Sequence, residues 1–253
     1  MDIPFIVSAI IVGIPAFVIV FHALQNYDYP VVEKALFDFQ KVFFTLIIGF
    51  VFGTVAYILK LSLPSGADPL WILFMVLMGM AVVEESFKTI FLNMKRFSLK
   101  FDTTFYGLSL SVGIAAAMAF FDNYVSLRFT DGVHDALILF GLALLSIGII
   151  ALHASTGSVI GYGSSKGDVF PSLLQAIVYR SLYVLLILPF LLIYKYPDSI
   201  WLGFAFLIAS VLYALLLYWR AYNLILPVSM PDDLKKRKVR QARRKRLTQN
   251  REK

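Results

Sequence analysis

Val82-Val83-Glu84-Glu85-Ser86-Phe87-Lys88 is the stretch on which the reading of this chain turns. Before it runs Leu70-Trp71-Ile72-Leu73-Phe74-Met75-Val76-Leu77-Met78-Gly79-Met80-Ala81, without a charge, and after it the apolar pattern resumes with Ile90-Phe91-Leu92. Three ionisable groups therefore sit inside what otherwise reads as one membrane-spanning helix. Each charge at that depth costs roughly 2.5–3.5 kcal/mol on insertion scales, so such groups are usually kept for chemistry or transport. On a helix, Glu84 and Lys88 stand four apart and share a face, with the acid on the favourable N-terminal side. Glu85 lies about 100° round from Glu84, so the two carboxylates point into adjacent sectors. The bland alternative is a helix end, with wet acids and Lys88 reaching back to the interface.

The rest of the chain supports an all-helical membrane reading. Of 253 residues 59% are hydrophobic and only 15% charged, the latter well below the roughly 25% of soluble proteins. There is no cysteine, which removes disulfides, thiolate catalysis, iron–sulfur clusters and cysteine-ligated zinc. The net charge of +7 is concentrated at one end: 11 of the 23 Lys and Arg residues follow Pro231, leaving the body near −1. The run from Lys235 to Arg246 reads as a solvated tail on anionic lipid headgroups. Nucleic acid is not an expected partner, because no folded basic domain accompanies the run.

Hydropathy predicts about seven spanning helices. They cover roughly Ile3–Ala23, Phe39–Leu63, Pro69–Asn93, Thr104–Leu127, Asp135–Gly163, Phe170–Lys195 and Ser199–Tyr222, each near the roughly 20 residues that cross a bilayer. Pro64-Ser65-Gly66 ends the second, and Pro189 predicts a kink in the sixth. The first helix lacks a basic n-region and a small-residue cleavage site, so it reads as retained. The expected division is a transmembrane domain over 1–225 and a polybasic cytoplasmic tail over 226–253. With seven spans and that tail cytoplasmic, the N-terminus lies outside a plasma membrane. Lys34, Lys41, Lys95, Arg96, Lys100 and Lys166 then lie inside against Lys60, Arg128 and Lys195 outside, as the positive-inside rule expects.

Further polar residues interrupt the later helices. In the fourth, Ser111, Ala115, Met118 and Asp122 form one stripe of helical spacing, and small residues there admit a close neighbour. Asp122 then faces protein or water; alternatively it marks an outer helix end near Arg128, Asp131 and Asp135. In the fifth, His153 shares a face with Ser146, Gly157 and Ile160. A lone helical His is usually a hydrogen-bonded packing residue, but His153 is the one imidazole candidate for a metal, since His22 and His134 fall near helix ends. In the sixth, Arg180 is near mid-span, keeps its charge, and needs Glu84, Glu85 or Asp122 as partner. On this topology His153 falls towards the inner side and Asp122 towards the outer, about 15 Å apart at 1.5 Å per residue.

Acids and a His from separate helices can activate water against an amide carbonyl. At these residues the chain resembles the PrsW family of membrane-embedded proteases, relatives of the CAAX prenyl proteases and of the anterior-pharynx-defective subunit of γ-secretase. Glu84-Glu85-Ser86-Phe87-Lys88 matches the family's EExxK. Met118-Ala119-Phe120-Phe121-Asp122-Asn123 resembles FAxxEN, with Met for Phe and Asp for Glu. His153 to Gly157, then Gly161-Tyr162-Gly163, fits the His and Gly-rich motif. In the last motif, AxxxHxxxN, Arg180 stands for His and Val184 for Asn. The likeness covers about residues 70–190 in order.

The resemblance implies an intramembrane endopeptidase acting on single-span membrane proteins such as an anti-sigma factor. Glu84 would be the general base and Glu85 its orienting partner, with His153 and Asp122 catalytic or ligating. Lys88 and Arg180 would balance charge, and Asn123 would support by hydrogen bonding. Zinc would take His153, Asp122 and Glu85; with Arg180 in place of a His, a metal-free site is equally compatible. Two other classes stay open: a non-catalytic scaffold or chaperone-like subunit that binds transmembrane helices, and an ion-coupled transporter, although no inverted repeat is visible.

Overall fold

A computed structural model describes residues 2–28, 32, 35–62, 70–129, 135–192 and 200–229. The expected break at Pro64-Ser65-Gly66, the residues Lys34, Asp131, His134 and Lys195, and the Lys235–Arg246 run lie outside these residues. Every regular element among the described residues is helical. The long helices are α1 (Ile3–Leu24), α2 (Phe39–Leu61), α3 (Leu70–Leu92), α4 (Thr103–Phe129), α5 (Ala136–Lys166), α6 (Val169–Leu191) and α7 (Ile200–Arg220). A π-helical turn, Ala221–Ile225, carries α7 into the short α8, Leu226–Ser229. Helix thus continues past the division expected at 225.

The ends follow from local chemistry. Asp38 accepts from the backbone N–H of Gln40 at the start of α2, and Asp135 accepts from Leu137 and Ile138 at the start of α5. Gly167, at φ 83°, closes α5 in the left-handed conformation that glycine adopts without a steric penalty. Pro189 sits in the last turn of α6, which ends at Leu191; the expected end at Lys195 lies outside the described residues.

Apart from α3, the long helices are each apolar and long enough to cross a membrane, the last of these spans running from Ile200 to Ser229. These six fit a membrane-spanning protein. The bundle's outer surface agrees: Phe17, Phe129, Trp201 and Trp219 are among many large apolar side chains that stay exposed, as on a lipid-facing belt. α3 matches the others in length but encloses Glu84, Glu85 and Lys88.

α4 is the central post, buried along most of its length, with α2, α5 and α1 around it. Both α2 and α5 approach it closely. A Cβ added at Gly157 would lie 2.1 Å from Ser111 Oγ and 2.2 Å from the Gly107 carbonyl oxygen. Only glycine lets these two backbones meet so closely. α3 packs mainly on α6 and α5. That arrangement turns its charged residues inward rather than towards lipid.

Candidate functional site

Glu84, Glu85 and Lys88 on α3, His153 and Thr156 on α5, and Arg180 on α6 converge in one buried network. Glu84, Glu85, Lys88, His153 and Thr156 are each 0% exposed and Arg180 is 5% exposed. The wet helix end is therefore excluded: Lys88 does not reach an interface.

Lys88 is the hub of one half. Its Nζ donates to Glu85 Oε1 at 2.7 Å and to Thr156 Oγ1 at 3.0 Å, and lies 3.1 Å from His153 Nδ1. The partner expected from shared-face spacing was Glu84; the structure pairs Lys88 with Glu85, three residues away. Glu84 is instead turned to α6, where Arg180 Nη2 donates to its Oε2 at 2.7 Å. The i,i+4 rule describes an isolated helix in water; in a buried bundle the nearest fixed cation from a neighbouring helix decides the pairing. Arg180 Nε also stands 3.6 Å from Glu85 Oε1, so the guanidinium spans both acids.

Hydrogen-bond chemistry assigns protons for the fully ionised network. An ammonium only donates, so His153 Nδ1 accepts from Lys88. The proton of the neutral ring then belongs on Nε2, which faces Glu84 Oε2 at 3.4 Å. With His153 neutral, two carboxylates balance one ammonium and one guanidinium. A balanced set is what a dry interior can hold.

Four atoms of this network are buried and without a hydrogen-bond partner among the described residues: Glu84 Oε1, Glu85 Oε2, His153 Nε2 and Arg180 Nε. Two acceptors and two donors of the network thus remain unsatisfied. Each such group is costly unless water or a guest meets it.

Asp122 and Asn123 are not brought into this network. Lys60 Nζ donates to both oxygens of Asp122, at 2.8 and 2.9 Å, and both side chains are about a third exposed. Asn123 is buried and donates to Ser146 Oγ at 2.9 Å. Asp122 and Asn123 therefore sit apart from the network: α4 presents them further along its axis, one to a lysine at the end of α2, the other to α5. His22, for its part, is spent on Tyr218.

The donor set does not fit the zinc that the resemblance implies. No group of three or more His, Asp or Glu among the described residues could hold a metal ion. Glu85 and Glu84 each carry a cation at 2.7 Å, and Asp122 is held by Lys60. A divalent ion would have to displace a buried ammonium and a buried guanidinium.

Thr156 and Lys60 were not singled out from sequence as site residues. Thr156 lies three residues after His153, on the same helix face, and that spacing was the available signal. Lys60 read only as an outer-loop charge.

No protein-family model matches this chain, and no curated protein or solved structure shows significant similarity to it.

Proposed function

We propose that this chain is an intramembrane endopeptidase of the PrsW-like type, in which Glu84 activates a water molecule without a metal. The observation that carries the reading is that Glu84, Glu85, His153 and Arg180, joined in one network, each keep a buried polar atom without a hydrogen-bond partner, and that Glu84 and Arg180 line a cavity. A water held there against Glu84 is the nucleophile. Glu84 takes a proton from that water while its oxygen attacks the peptide carbonyl carbon. The Nε2–H of His153 and the free N–H of Arg180 donate to the oxyanion that forms. Glu84 then returns the proton to the leaving amide nitrogen. Lys88 holds Glu85 and sets the tautomer of His153, so it is a positioning residue. The substrate is a single-span membrane protein. We read the N-terminus as outside and the Lys235–Arg246 run as lying on anionic headgroups at the cytoplasmic face of the plasma membrane.

One observation favours a second reading. Arg180 already occupies Glu84 at 2.7 Å, as a purely structural ion pair would. On that reading the chain is a scaffold that holds partner transmembrane helices without cutting them. One experiment separates the two. Wild type and Glu84→Gln are incubated in mild detergent with a panel of single-span substrates, beside an active relative. Cleavage by wild type and not by the variant supports the peptidase. Uncut substrate that co-purifies equally with both supports the scaffold and ends the hydrolytic reading.

A further inference from the structure

A cavity of about 100 Å³ joins two ion pairs that the sequence keeps far apart. Glu84 and Arg180 line one end, Lys60 and Asp122 the other, with Met80 and Met118 among its walls. The direction is set by the helices. Lys60 is in the last turn of α2, and Asp122 lies in the C-terminal part of α4. From Glu84 the lining runs back along α3 to Leu77, and from Arg180 forward along α6 to Leu191. All four point to the same end of the bundle, the end at which α2, α4 and α6 finish and α3 begins. The distances are about 10 Å along α3 and about 16 Å along α6, at 1.5 Å per residue.

On its other side the network is packed by buried residues. Lys88 and Thr156 bond to each other there, and Leu92, one turn further, is 0% exposed. The cavity leads from Glu84 and Arg180 towards Lys60 and Asp122. The two ends also differ in exposure: Glu84 is 1% exposed by side chain, Asp122 32%.

We propose that this cavity is a one-sided water inlet to Glu84, and that the Lys60–Asp122 ion pair is its mouth. Its volume suits about three water molecules at roughly 30 Å³ each, and the polar groups at both ends supply the partners such water needs. A rim of two opposite charges stays hydrated without attracting ions of either sign. It also deters an apolar chain from entering the opening. The purpose of the inlet rests on the reading of Glu84 as the base on water; its existence is measured without any cleavage.

The absence of cysteine from the chain makes the test direct. Single-cysteine variants of the full chain, Met80→Cys and Met118→Cys, are exposed in chloride-free detergent solution to silver ion, a thiol-reactive probe of near-water size. Leu152→Cys, on α5 and 0% exposed, is the dry control. After quenching and unfolding, alkylation counts the thiols that silver missed. The inlet predicts silver capture at Met80→Cys and Met118→Cys at least about tenfold faster than at Leu152→Cys, because thiols react where water reaches them. Adding Asp122→Asn, which leaves Lys60 unopposed at the mouth, should slow capture of the cation severalfold at both positions.

Two sites on different helices guard against a variant that fails to fold. The reading is overturned if the variant that keeps the wild-type melting temperature reacts no faster than the control. It is equally overturned if Asp122→Asn leaves both rates unchanged. Silver access without peptide cleavage would keep the inlet and remove the peptidase; cleavage without access would do the reverse.

Discussion

Replacing Arg180 by Met is the sharpest perturbation of this bundle. It keeps the side chain's length and removes a guanidinium that lies 2.7 Å from Glu84 Oε2. At an effective dielectric of about 20, that separation corresponds to roughly 6 kcal/mol of attraction. Water entry and the remaining ammonium of Lys88 return part of it. Breaking one side of a buried ion pair typically costs about 3–5 kcal/mol, and that is the expected loss for Arg180→Met. Glu84→Gln should cost less, about 1–3 kcal/mol, because Arg180 retains Glu85 and only hydrogen-bond partners are lost. The double variant removes both charges, so the cycle should show a coupling of about 2–3 kcal/mol. The assay is reversible unfolding by SDS titration in mixed micelles, followed by the fluorescence of Trp71, Trp201 and Trp219. An Arg180→Met loss below about 1 kcal/mol with additive effects, as for an exposed pair, would refute the buried network.

Other outcomes follow from the same contacts. Lys88→Met takes from Glu85 its nearer cation, leaving only Arg180 at 3.6 Å, and leaves His153 and Thr156 without their shared donor; a loss of about 3–5 kcal/mol is expected in the same titration. Asp122→Asn touches an ion pair that is a third exposed, so its cost should stay within about 1 kcal/mol. Gly157→Ala puts a methyl onto Ser111 and the Gly107 carbonyl and should cost at least about 1–3 kcal/mol, whereas Gly13→Ala, which meets nothing within 4 Å, should be close to neutral. Thermal melting of the two glycine variants side by side checks that contrast.

The helices were legible because apolar runs of the required length leave little choice, and the observed ends fall near the expected ones. The residues of the network were also legible, since a charge or an imidazole in such a run stands out by its cost. What the sequence withheld was the pairing. Spacing along α3 favoured Glu84 with Lys88, but the rotation of α3 against α5 and α6 gave Lys88 to Glu85 and Glu84 to Arg180. The fate of Asp122 depended on Lys60, which is 62 residues away and looked like a loop charge. Asp122 is held by Lys60 rather than by the network. His153 and Glu84, from different helices, come within 3.4 Å of each other.

The Glu84–Arg180 pair also bears on how the chain is made. Its partners are 96 residues apart, and a ribosome adding about 5–20 residues per second needs roughly 5–20 s to cover that distance. Through that interval α3 carries one carboxylate more than its own lysine can balance. The nascent helix should therefore stay at the insertion machinery, in contact with water, until α6 emerges to release it. Chains arrested before Arg180 should leave α3 open to a water-soluble cross-linker, and chains arrested after α7 should not. If α3 is protected from the moment it leaves the ribosome, Glu84 enters the apolar phase without its partner and the expectation fails.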